Sequence, residues 1–216
     1  LDNFYDPELK PVKIKLDPSL NAANNAAKYF KEYKKACVAR QTLGRLIKAD
    51  GEETEYLLNV EDSIKRCRTA ADINEIKEEL RKEGYIKKSG KKKTAEPKIG
   101  FRPEEYVSED GFKILVGRNN VENDRLTMKF AAKSDLWFHV KNAAGAHVIL
   151  ITEGRQISDS ALLFAAGLAA KNSSLSSSQN VPVDYTFVKS VKKPNGAKAG
   201  MVIYENNKTL YVDPAK

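Results

Sequence analysis

The chain is poor in the residue types that most often carry chemistry. Among 216 residues there are two cysteines, one tryptophan, two histidines and two methionines. Cys37 and Cys67 are too few and too far apart for a disulfide framework or a zinc site, which points to a reducing, cytoplasmic compartment. No apolar run reaches the length of a membrane span, so no membrane partner is expected. The chain begins at Leu1 without a signal-like apolar stretch, which suggests a piece of a longer protein. No serine sits in a recognisable nucleophile elbow, and both cysteines fall in the helical seam region, so no nucleophile stands out. What is present is enough apolar residue, 41%, to bury one or two cores, together with a formal charge of +8.

That charge is unevenly placed. Residues 1–86 carry 16 basic and 16 acidic side chains, residues 87–98 six lysines against Glu96, and residues 99–216 15 basic against 12 acidic. The excess is a basic linker followed by a mildly basic C-terminal half. Phosphate binding by such a surface releases counterions, so a polyanion is one reading. A solvated tether is the other.

Three stretches follow from the pattern. Val12-Lys13-Ile14-Lys15-Leu16 alternates between prolines and predicts a short strand. From Ala26 to Arg68, steps of three and four through Tyr29, Tyr33, Leu43, Ile47, Leu57 and Ile64 trace a coiled-coil seam. It keeps register across Asp50-Gly51, predicting one helix of more than 40 residues that needs a partner, with self-association one solution. Thr69 with Asp72 and Glu75 starts a second, short helix that stops at Gly84. These elements make a helical region over residues 1–86, a linker over 87–100, and a mixed, mostly antiparallel α+β domain over 101–216.

In that last domain Asp135-Leu136-Trp137-Phe138-His139-Val140-Lys141 alternates with period two. Leu136, Phe138 and Val140 read as core; Trp137, His139 and Lys141 share the other face, suited to stacking a base and holding a phosphate. The same pattern arises when a tryptophan caps a core and a lysine is solvated. His139 and His147 flank a hairpin turn at Asn142–Gly145 with Asp135 near, but a metal needs three convergent ligands and nothing in the spacing makes these converge, so no metal or other cofactor is expected. Gly117-Arg118-Asn119-Asn120 before a helix is either a phosphate-binding turn or a turn with an N-cap. Lys189, Lys192, Lys193 and Lys198 lie in a segment free of acidic residues, suited to a nucleic-acid backbone or simply to water.

Taken in order, Asp110-Gly111-Phe112, Val116–Asn120, Asn123–Thr127, Asp135–His139, Gly145–Val148, Val181–Thr186 and Val191–Pro194 resemble the C-terminal RNA-binding domain of NFACT proteins. Leu16-Asp17-Pro18, Asn25–Phe30 and the long helix resemble the coiled-coil middle domain of that family. The resemblance implies a ribosome-quality-control factor. It would bind the large ribosomal subunit carrying a stalled peptidyl-tRNA and recruit alanyl-tRNA for template-independent alanine addition; peptide-bond formation would belong to the ribosome, so the resemblance implies a non-enzyme with no catalytic residue. It further implies RNA contacts from Arg118, Trp137, His139, Lys141, His147, Lys189, Lys192 and Lys193, with Asp110, Gly117, Asn119, Asp124, Asp135 and Gly145 fixing turns and orienting basic groups. Two departures stand out: the family's N-terminal domain is absent, and serines fill 173–178 where relatives often place basic residues. The competing reading is a surface adhesin for fibronectin or fibrinogen, the label bacterial members often carry.

Overall fold

A computed structural model describes residues 2–87 and 100–215, so most of the basic stretch at 87–98 lies outside the described residues. The chain divides into two compact units, Leu1–Glu52 and Glu53–Lys216. One helix, α1 (Ala22–Arg66), contributes to both and runs unbroken through Asp50-Gly51, as the seam predicts.

In the first unit the segment before α1 is held by one buried side chain. The Asn25 amide donates to the carbonyls of Asp17, Leu20 and Asn21, while its oxygen accepts from the Asp17 amide at 2.8 Å. Asn21 Oδ1 accepts from the Asn24 amide, satisfying one of the free amides of the helix start. The strand expected over Val12–Leu16 does not form. An isolated bridge, Asp2 to Pro11, lies beside this segment and the Tyr29 hydroxyl donates to the Lys15 carbonyl, but among the described residues no strand ladder pairs with it. Tyr29, Tyr33, Leu43 and Ile47, the seam of α1 in this unit, are exposed.

In the second unit α2 (Ala70–Lys82) follows, opened by the expected capping device: Thr69 accepts from the Asp72 amide and Asp72 accepts from the Thr69 amide. Tyr56 and Val60 of α1 pack against Ile76 of α2, so the buried stripe of α1 here is displaced by about one residue from the expected seam, whose Leu57 and Ile64 stay exposed.

An antiparallel sheet follows. Its strands are β1 (Glu104–Val107), β2 (Lys113–Val116), β3 (Leu136–Val140), β4 (Val148–Leu150), β5 (Val181–Phe187) and β8 (Lys208–Val212), in the order β1-β2-β4-β3-β5-β8. Between β2 and β3 lie a six-residue helix α3 (Asn120–Arg125) and a π-helical turn (Leu126–Phe130); α4 (Asp159–Lys171) precedes β5. A separate two-stranded ribbon joins β6 (Val191–Lys192) to β7 (Ile203–Tyr204). The turn at Glu205–Lys208 therefore links two sheets rather than pairing two strands.

Both faces of the sheet are covered. On one, Leu136, Phe138 and Val140 meet Ile114, Val148, Leu150 and the alanines 161, 165, 166, 169 and 170 of α4, whose small side chains let the helix lie close. On the other, Trp137, Leu115 and Ile149 are closed over by Leu126, Val188 and Val191, with Met128, Val202 and Tyr204 packed at the edge. The architecture is the expected long helix followed by a mixed, antiparallel α+β domain.

Candidate nucleic-acid interface

The second core decides what the Asp135–Lys141 stripe can do. Trp137 is completely buried, His147 is 2% exposed, and the β6–β7 ribbon lies over them, with the Tyr204 ring 4.8 Å from Trp137. The expected outward strip of Trp137, His139 and Lys141 is thus an inner face for its first two members. The correction has a plain cause: a sheet covered on both sides buries alternate residues whatever their type. His139 is half-buried, and Lys141 is exposed, its ammonium 3.7 Å from Asp184 and 3.4 Å from the Thr209 hydroxyl.

The histidines do come together, as a hairpin across Asn142–Gly145 requires. Their rings lie 5.6 Å apart edge to face, and each contacts the indole: His139 stacks on it at 5.7 Å, His147 meets it edge-on at 5.2 Å. The His147 ring shares a 2.8 Å contact with the Thr127 hydroxyl through Nδ1, and the backbones of Asn123 and Gly200 lie beside the ring. Burial pushes the His139 pKa down to about 4; burial, then the neighbouring His139, holds His147 well below the usual value. Asp135 turns away from both, accepting from the amides of Ala132 (2.8 Å) and Thr152 (2.9 Å). Among the described residues no group of three or more His, Cys, Asp or Glu is placed to hold a metal ion.

This arrangement predicts a pH dependence. Both histidines have folded pKa values below that of the unfolded chain, near 6.5, so the unfolded state binds more protons as pH falls and stability falls with it. The loss begins below about pH 7 and continues toward pH 4, with His139 alone worth on the order of 3 kcal/mol. Asp62 and Glu79, raised by burial, act in the opposite sense. Thermal melts of the chain and of a His139→Gln, His147→Gln variant between pH 7.5 and 5 resolve the two: the native melting temperature drops and the variant's pH slope flattens.

Arg118 was expected at RNA. Instead it holds three carboxylates: Nη1 lies 2.5 Å from Asp72, Nη2 2.8 Å from Glu122 and 3.7 Å from Glu75. Glu122 also accepts from the amides of Arg118 and Arg102 at 3.1 Å each. The Arg118 amide at this turn is thereby occupied by a carboxylate of the chain itself, not left open to a phosphate. Asn119 is the N-cap of α3, accepting from the Glu122 amide and donating to Glu75.

The other orienting residues act at turns. Asp124 pairs with Lys193 and accepts from the Gly200 amide, pinning both ends of the β6–β7 loop. Asp110 accepts from Ser158 and Ser160 at the start of α4. A Cβ on Gly117 would lie 2.1 Å from Asn123 Oδ1, the atom that accepts from the His147 amide, and one on Gly145 would lie 2.9 Å from Val140 and 3.0 Å from Ser173. Close approach, not a left-handed backbone, explains glycine at both.

Of the loop lysines, Lys193 is held by Asp124, and Lys198 pairs with Glu53 while lying 4.6 Å and 4.8 Å from the centres of the Tyr56 and Tyr85 rings. Lys192 is exposed, with a 3.8 Å surface contact to Glu205, and Lys189 is exposed above the Phe187 ring. The sequence reading missed the exposed cations Lys129 and Lys133, one at the π-helical turn and one just beyond it. Lys129, Lys133, Lys141, Lys189 and Lys192 are exposed.

Residues 1–98 match the NFACT N-terminal and middle domains, and residues 102–206 match the NFACT protein RNA binding domain. The chain is 40% identical over its full length to a "Rqc2 homolog RqcH" of Streptococcus suis, and 37% identical over 98% of its length to the Bacillus subtilis protein of that name. It spans 38% and 37% of those relatives. The solved C-terminal part of the fibronectin/fibrinogen-binding protein from Streptococcus suis superposes with a TM-score of 0.80 at 39% identity, over 91% of this chain and 78% of that one. With family matches in chain order across both parts and a solved relative of the same fold, the chain belongs to the NFACT family.

Proposed function

We propose that this chain is the RNA-binding part of a cytoplasmic ribosome-quality-control factor. In this reading it binds the large ribosomal subunit carrying a stalled peptidyl-tRNA and helps recruit alanyl-tRNA, so that alanine is added to the nascent chain without a template. Peptide-bond formation belongs to the ribosome, and the chain supplies grip and placement. Residues 1–86 act as the middle domain, 87–100 as a basic tether and 101–216 as the RNA-contacting domain.

The observation that carries the reading is the match of residues 102–206 to an RNA-binding domain that presents exposed lysines, Lys189 and Lys192 among them, on a folded scaffold. Exposed cations suit phosphate recognition because their pairing with chain carboxylates is weak, and each phosphate they neutralise releases counterions. Equilibrium binding of labelled tRNA and of large subunits through a salt series tests it. Affinity is expected to fall linearly on a log–log plot, and absence of binding to both defeats the reading.

A second reading, binding to fibronectin or fibrinogen, is favoured by the name of the solved relative alone. Surface-plasmon binding to immobilised fibronectin checks it directly.

A further inference from the structure

The π-helical turn bears a second feature that the lysine surface does not explain. Phe101 and Phe130 bring their rings to 5.1 Å, and Phe130 remains 53% exposed. With Arg125 and Lys129 they line a shallow groove of about 360 Å³. An exposed phenylalanine has an apolar surface in water, which is costly unless something covers it. The exposed Lys129 beside it indicates an anionic cover, and among the described residues no carboxylate pairs with that lysine.

The patch continues beyond the groove. Lys133 follows three residues after Phe130, and its carbonyl accepts from the Lys189 amide at 3.2 Å. That bond sets Lys133 next to Lys189, whose ammonium lies 5.2 Å from the ring of Phe187, itself 44% exposed. Two exposed aromatic surfaces are therefore joined by Lys129, Lys133 and Lys189. The π-helical turn matters to this placement: its wider ladder closes with the Ala131 amide on the Leu126 carbonyl, while Leu126 stays in the core and Lys129 and Phe130 face solvent. Such turns occur often at functional sites.

We propose that the Phe101–Phe130 groove is a stacking site for an unpaired nucleotide, with Lys129 and Lys133 taking the flanking phosphates. The proposal rests on the RNA-binding reading and specifies the state of the RNA. Aromatic faces recognise bases that are free to leave a helix, whereas in a duplex every base face is already stacked. A purely electrostatic surface would need only the lysines; exposed rings between them favour single-stranded RNA.

The test uses fluorescence anisotropy with a labelled twelve-nucleotide unpaired RNA and a blunt RNA duplex of equal phosphate number, on the full chain. Phe130→Ala is expected to weaken the unpaired RNA roughly tenfold while leaving duplex affinity within about twofold. Phe130→Trp retains affinity and adds an exposed indole to a chain whose native tryptophan is buried, so unpaired RNA quenches the new emission and duplex does not. Thermal melts confirm that both variants are folded. Equal loss for both RNAs, or a Phe130→Ala variant that binds unpaired RNA as the native chain does, overturns the proposal while the RNA-binding reading stands. Failure of the native chain to bind tRNA, large subunits or either oligonucleotide overturns both.

Discussion

Replacing Arg118 with methionine is expected to lower the unfolding free energy by about 3–5 kcal/mol, a loss typical of removing one partner from a buried charge cluster. The guanidinium side chain is 21% exposed and sits among Asp72, Glu75 and the fully buried Glu122. Without it, three carboxylates face one another with little water to screen them. Asp72 has its carboxyl lowered overall: burial pushes it up, but bonds from Thr69 and Arg68, and the charge of Arg118, outweigh that. Lysine should recover only part of the loss, because one ammonium cannot make the forked contact with Glu122 while also reaching Asp72. Urea unfolding monitored by circular dichroism measures the change, with an unchanged m-value showing that the two states are still the same. A loss below about 1 kcal/mol would return Arg118 to the set of residues available for RNA.

Trp137→Ala is expected to cost a similar 3–5 kcal/mol, for a different reason. The indole is wholly buried between Leu115, Leu126 and Ile149 and touches both imidazoles and Tyr204. Its deletion leaves a cavity that the sheet cannot close. Trp137→Phe should cost much less: it retains a ring, and because Nε1 has no hydrogen-bond partner among the described residues, removing that group leaves no acceptor unpaired. The contrast is informative. A stacking residue at an RNA surface would give little stability loss on truncation and a large loss of affinity, whereas here stability carries the effect and the Phe variant keeps its RNA affinity. Thermal and urea melts of the two variants beside the native chain provide the comparison.

The outcome at Trp137 shows where the sequence was legible and where it was not. Period-two alternation placed Leu136, Phe138 and Val140 correctly on one face, because local geometry alone determines it. It could not say whether the other face met water. The missing signal was in neighbouring strands: Ile114-Leu115-Val116 and Val148-Ile149-Leu150 are continuous apolar runs, the mark of strands covered on both sides. The seam of α1 shows a related limit. Its period was enough to predict a helix through Gly51, yet the stripe buried in the second unit, Tyr56 and Val60, is set by α2, which a pattern within one helix does not contain. Among the proposed RNA-contacting residues, sequence could group basic side chains but not distinguish Lys193, which Asp124 holds from 69 residues away, from Lys192 beside it. Phe101 and Phe130 are separated along the chain, and no local pattern pairs them; the folded π-helical turn brings their rings together.

These distinctions converge on one claim, that the domain meets RNA through exposed lysines and not through its histidine–tryptophan core. The most direct measurement is the salt dependence of tRNA binding by the native chain, a Lys189→Ala, Lys192→Ala variant and Trp137→Phe. The account predicts weaker binding for the lysine variant, with a log–log salt slope shallower by up to about 2, and native-like affinity and slope for Trp137→Phe. A lysine variant that binds as tightly as the native chain, together with a folded Trp137→Phe that has lost binding, would contradict it.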